Sequence, residues 1–221
     1  MKKSFWRDNG LSLTAFALFV IFLIGQTLAG WNDQNNEARL HGEALVSLVE
    51  YVQSGHFFEV IFENWESEFL QMGAYVMLTS FLFQRGSSES KDPDEDEEVN
   101  EDPNLKRDDP DAPGPVKAGG WRLKLYQRSL SGAFFALFLA SFIGHAMGGA
   151  RAYSDELEKF GQPPLSTWEY LGTARFWFES LQNWQSEFLA VAAIVVLTIR
   201  LREQGSPESK PVAAPHSRTG R

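Results

Sequence analysis

Asn64-Trp65-Glu66-Ser67-Glu68-Phe69-Leu70 occurs twice in this chain, with one change. It returns 119 positions later as Asn183-Trp184-Gln185-Ser186-Glu187-Phe188-Leu189, six of the seven residues the same. Each copy opens an apolar run that ends at Thr79 or Thr198. A Gly-Ser-x-Glu-Ser-Lys segment follows, at Gly86–Lys91 and Gly205–Lys210. Upstream, Leu11–Gly30 aligns without gaps on Leu130–Gly149 at the same offset. The chain reads as a tandem repeat, and the fold class it implies is an all-α membrane protein. Its four transmembrane helices form two tandem helical hairpins, a parallel internal repeat, with amphipathic external segments.

The spans follow from lengths. Leu11–Gly30 and Leu130–Gly149 hold twenty residues without a charge. At ~1.5 Å per residue each covers ~30 Å, the hydrocarbon thickness of a bilayer. Leu28-Ala29-Gly30 also fits the end of a signal peptide, but the match to an internal segment favours an anchor. After Glu187 only Phe188–Ile199 is continuously apolar. Twelve residues reach ~18 Å, too short to cross, so the helix must extend back through the repeated motif. The expected boundaries are a first repeat over 1–86, with spans at about 11–30 and 64–84, and a second over 120–205, with spans at about 130–149 and 183–201. Between the spans, Leu40, Ala44, Leu48 and Val52 fall four apart, which predicts an amphipathic helix. In the second copy Pro163-Pro164 interrupts, and a helix is expected to restart with Ser166 or Thr167 as its cap.

Charge is concentrated in one place. The chain has a net charge of −9 and no cysteine. Residues 87–119 hold twelve acids against four bases, a balance of −8. That composition predicts a disordered acidic tether, with a second disordered stretch over 206–221. Without cysteine there are no disulfides, thiolate metal sites or thiol catalysis. Basic residues cluster at Met1–Gly10, Lys117–Ser129 and Arg200–Arg221, whereas Trp31–Glu63 has six acids and only Arg39. The positive-inside rule then places both termini and the tether in the cytoplasm.

The candidate polar membrane site is Asn64, Ser67 and Glu68 with Asn183, Ser186 and Glu187. A carboxylate inside a spanning helix is costly and tends to mark an ion or proton path. The favoured reading is interfacial: Asn64 and Asn183 cap helices, the acids sit in first turns, and Trp65 and Trp184 anchor at the headgroups. Gln26 and His145 occupy matching places in the first and third spans and are secondary candidates, more often helix-packing groups than proton relays. Gly144-x-x-x-Gly148 and Gly25-x-x-x-Ala29 permit close helix approach. No phosphate loop, nucleophile elbow or metal-ligand spacing is present, so no catalytic residue, metal or cofactor is expected. Nothing points to nucleic acid. The expected partners are the lipid bilayer and either a second copy or another membrane protein.

The paired Asn-Trp-x-Ser-Glu-Phe-Leu motifs, each followed by an apolar run and Gly-Ser-x-Glu-Ser-Lys, resemble an uncharacterised bacterial family of small integral membrane proteins, known as a domain of unknown function. The resemblance covers Leu11–Lys91 and Leu130–Lys210 and implies a bacterial plasma-membrane location. It implies no activity. The expected role is therefore a non-enzymatic structural or interaction protein of the envelope, and the alternative is a small ion- or proton-coupled channel or transporter.

Overall fold

The structure, a computed structural model, describes residues 5–220, and among these it is helical with no strand. The helices are α1 (Phe5–His41), α2 (Leu48–Val52), α3 (Gly55–Leu78), α4 (Gly114–Ala118), α5 (Gly120–Tyr126), α6 (Ser129–Lys159), α7 (Thr167–Leu171) and α8 (Ala174–Leu197). Single 3₁₀ turns lie at Glu98–Asn100 and Pro103–Lys106. Among the described residues only α1 and α6 are both long and apolar enough to cross a membrane by composition. The uncharged windows at 11–30 and 130–149 sit inside them, and both helices run on well past those windows. The chain forms two compact units whose boundaries fall within α3, α6 and α7: residues 5–61 with 144–170, and 62–143 with 171–220.

The first unit holds the two connections that follow α1 and α6, and they are built from the same bonds at matching positions. Both long helices end on a left-handed glycine, Gly42 and Gly161, each at φ 69°. The next amide then reaches back five residues, Glu43 to the Ala38 carbonyl at 2.8 Å and Gln162 to Leu157 at 3.0 Å. This stop satisfies carbonyls that a helix end would leave orphaned. Asn35 holds the returning chain at Val46, accepting from its amide at 2.8 Å and donating to its carbonyl at 3.0 Å. Ser154 does the same for Leu165, at 3.0 and 3.3 Å.

Each connection then enters a five-residue helix through a capping box. In α2, Ser47 Oγ accepts the Glu50 amide at 3.3 Å and Glu50 takes the Ser47 amide at 2.7 Å. In α7, Ser166 and Glu169 repeat the exchange at 3.3 and 2.8 Å. Of the two caps expected for the restarting helix, Ser166 is the one used. Tyr51 and Tyr170, both buried, lie against the bare faces of Gly30 and Gly149, where a side chain would collide with the ring. Gly148 is the small residue that lets α3 approach, since a Cβ there would come within 2.6 Å of the Glu59 amide. Gly25 has open space around it.

One expectation changes here. The predicted amphipathic helix does not form: α1 continues to His41, and the residues buried are Asn35, Ala38 and Tyr51. Leu40 stays 84% exposed. Four-residue spacing cannot register a glycine stop at Gly42, and an asparagine that completes the Val46 backbone is buried in preference to a leucine.

The second unit packs α8 and the first part of α6 against α3. Aromatic rings fill the contact, with centroids 6.5 Å apart for Phe69 and Phe134, 6.1 Å for Phe138 and Trp184, and 5.2 Å for Phe142 and Phe176. A Cβ on Gly73 would lie 3.2 Å from that of Phe134, so the backbones approach closely there. α3 stops at Leu78 and α8 at Leu197, each followed by turns and the Gly-Ser-x-Glu-Ser-Lys segment.

Both of these segments fold alike. Gly86 and Gly205 take φ of 82° and 86°. The Gln84 and Glu203 amides bond to Ser90 and Ser209 Oγ at 2.8 and 2.9 Å, and the Glu89 and Glu208 amides bond to Ser87 and Ser206 Oγ, both at 3.1 Å. Residues 87–119 therefore begin in defined structure, with Ser87, Ser88, Glu89 and Ser90 buried. The tail expected to be disordered holds buried Lys210 and Thr219.

Candidate polar site on α3 and α8

Asn64 lies nine residues inside α3 and Asn183 nine residues inside α8, so neither is an N-cap. The caps are elsewhere. Ser54 Oγ accepts the Phe57 amide at 3.1 Å, and Thr173 Oγ1 accepts that of Phe176 at 3.3 Å. The motif sits mid-helix instead, because the turn before α3 and α8 carries its own hydroxyl cap. Ser67 and Ser186 donate along their helices to the Asn64 and Asn183 carbonyls at 2.8 and 2.9 Å.

Three side-chain bonds tie α8 to α3 in the second unit. Trp184 Nε1–H donates to Glu66 Oε1 at 2.9 Å. Asn183 Nδ2–H donates to the Glu63 carboxylate. Gln71 Nε2–H donates to the Glu187 carbonyl at 3.0 Å. Glu66 and Ser67 are buried, Glu68 is exposed and Glu187 is half-buried. Glu68 lies close enough to Glu187 for their charges to interact. Trp184 packs on Phe138, near the middle of the uncharged 130–149 stretch. Trp65 stacks edge-on against Phe62 on its own helix, at 5.6 Å.

Glu66 and Glu63 are the residues that sequence reading missed. It weighed positions that the two copies share, whereas Glu66 is the one motif position at which they differ. A second signal was present: Glu59, Glu63 and Glu66 recur with helical spacing on α3, and their counterparts are Phe178, Gln182 and Gln185. Glu59 belongs to the first unit. There the buried Tyr170 hydroxyl donates to it at 3.1 Å, and His56 approaches within 3.5 Å. The secondary candidates diverge, with Gln26 exposed and His145 fully buried.

A buried carboxylate is tolerated in an apolar setting when paired. The Trp184–Glu66 and Asn183–Glu63 bonds supply that pairing, and they hold two helices in one register. Among the described residues, no three His, Asp or Glu side chains converge as a metal site.

A family described as "Domain of unknown function (DUF6766)" matches residues 2–221. No curated protein and no solved structure matches the chain.

Proposed function

The chain belongs to that family, and we propose from its own residues that it is a four-span integral membrane protein whose repeated motif locks its helices together. The role is structural or interaction-based in the bacterial envelope and is not enzymatic. The observation that carries it is the hydrogen bond from Trp184 to the buried carboxylate of Glu66. Such a bond within a bilayer has no competing water and specifies helix register.

α1 and α6 supply two spans by composition. At 24 residues each, α3 and α8 reach about 36 Å, enough to cross. The bonds repeated at an offset of 119 residues support two tandem hairpins in the same orientation. The basic clusters put the termini and the acidic segment 87–119 in the cytoplasm. A second reading, an ion- or proton-coupled path, draws on the proximity of Glu68 to Glu187 and the mid-helix place of both.

The test uses purified protein. Glu66→Gln retains an oxygen acceptor for Trp184, so assembled yield should stay near that of the parent. Glu66→Leu and Trp184→Phe should each lower stability by about 0.6–1.7 kcal/mol, the range of bonds between membrane helices. In proteoliposomes the parent should show no proton or cation flux above the lipid blank. Flux lost selectively in Glu68→Gln or Glu187→Gln, with normal yield, would replace the locking role with the path.

A further inference from the structure

Lys210 has a surrounding that membrane architecture does not require. It is only 1% exposed, so its ammonium is withdrawn from water together with its stem. Such burial is costly unless the protein replaces the lost hydration. Four backbone carbonyls do so. Nζ donates to the Gly86 carbonyl, to Arg218 at 2.8 Å, to His216 at 3.1 Å and, more weakly, to Ile199 at 3.4 Å. Among the described residues no carboxylate forms an ion pair with it. Burial and the neighbouring Arg202 and Arg218 charges hold the Lys210 pKa below the usual lysine range.

The carbonyls come from three stretches of the second unit. Gly86 belongs to the turn after α3, Ile199 follows the end of α8, and His216 and Arg218 belong to the C-terminal segment. Helix C-termini carry the negative end of the dipole, which suits a cation at Ile199. The same stretches are joined around the cage. The Gly220 amide donates to the Ser87 carbonyl, the Gly86 amide to Thr219 Oγ1 and Ser88 Oγ to the Glu208 carbonyl, each at 3.0 Å. Lys91, the matching residue of the first copy, instead reaches the Ser80 carbonyl and Asn100 Oδ1, both at 2.8 Å, and stays partly exposed. Two like segments thus place their lysines differently, and only the second is enclosed.

We propose that the Gly86, Ile199, His216 and Arg218 carbonyls form a monovalent-cation site that the chain fills with its own Lys210 ammonium. This tethered cation latches the segment Gly205–Gly220 onto the C-terminal ends of α3 and α8. The latch does not depend on the membrane reading.

The native protein provides one test. On brief treatment of the detergent-solubilised chain with an amine-acylating reagent, mass spectrometry should find Lys210 modified at least 10-fold more slowly than exposed Lys124. Equal rates would overturn the proposal.

A second test uses a single spin label at Ala213→Cys, in a chain with no other cysteine. The label should be immobile in the parent and mobile with Lys210→Ala. Ammonium or n-butylammonium should restore the immobile spectrum by refilling the cage, and tetramethylammonium, with no proton to donate, should not. An immobile label in Lys210→Ala at unchanged helix content would overturn the latch. A mobile label that neither amine restores would overturn the cation site. Should Lys210→Ala fail to fold, the modification rate on the native chain decides.

Discussion

At the scale of single residues, Gly86 and Gly205 stand at matching places with nearly the same left-handed φ, 82° and 86°, in different surroundings. Alanine at either position carries the left-handed penalty of about 1–2 kcal/mol. At Gly86 a Cβ would also come 2.9 Å from the His216 carbonyl oxygen and 3.2 Å from the Ile199 side chain; at Gly205 it would meet nothing within 4 Å. Gly86→Ala should therefore lower the thermal midpoint clearly more than Gly205→Ala, by differential scanning in detergent. Equal shifts would mean that the C-terminal segment does not seat against Gly86. The same contrast explains why the site was only partly legible in the sequence. Repetition identified Asn183 and Trp184, whose bonds to Glu63 and Glu66 join two helices. Identity between copies says nothing about which face of a helix is covered, and so it points to the exposed Glu68 and passes over the buried Glu66.

Helices and their caps show a different division. The long apolar stretches of α1 and α6 were readable because twenty uncharged residues allow few alternatives. The restart at α7 was readable from prolines and a serine. The ends of α1 and α6 were not, since a single glycine stop leaves no periodic trace. The small caps also give a pH dependence. Hydrogen bonds from Ser47 and Ser166 hold the Glu50 and Glu169 carboxyls below their ordinary 4.5. A lowered folded pKa gives stability that is present above the unfolded value and is lost as pH falls through the folded one. Protection of the α2 and α7 amides, taken relative to their intrinsic exchange rates, should therefore be present at neutral pH and fall as the pH drops below 4.5. The Ser47→Ala and Ser166→Ala variants should lack that protection throughout. Protection in the parent that ignores acid would show that these two boxes do not hold the connections.

Across the whole molecule, orientation rests on where the basic residues fall. Three clusters, at the N-terminus, before α6 and after α8, carry three, four and five bases, and such an excess is retained on the cytoplasmic side. If α1, α3, α6 and α8 all cross, those clusters lie on one side together with the acidic segment 87–119, and the connections bearing α2 and α7 lie on the other. The chain has no cysteine, so single reporters can be placed without removing anything. Suitable positions must be exposed: Asp108 in the acidic segment and Ala44 shortly after the Gly42 stop both are, whereas Ser88 is buried against the C-terminal segment and would report nothing. An impermeant maleimide should label Ala44→Cys in spheroplasts and reach Asp108→Cys only after lysis. Labelling of both before lysis would mean that α3 does not cross. The reverse pattern would invert the orientation and leave the basic clusters without an explanation. Among the described residues only α1 and α6 pass on composition alone, so this experiment bears most directly on α3. The acids of α3 and the amides Gln182, Asn183 and Gln185 of α8 lower the mean hydropathy of these helices, and in the proposed four-span arrangement the Trp184–Glu66 and Asn183–Glu63 bonds pair polar groups of the two.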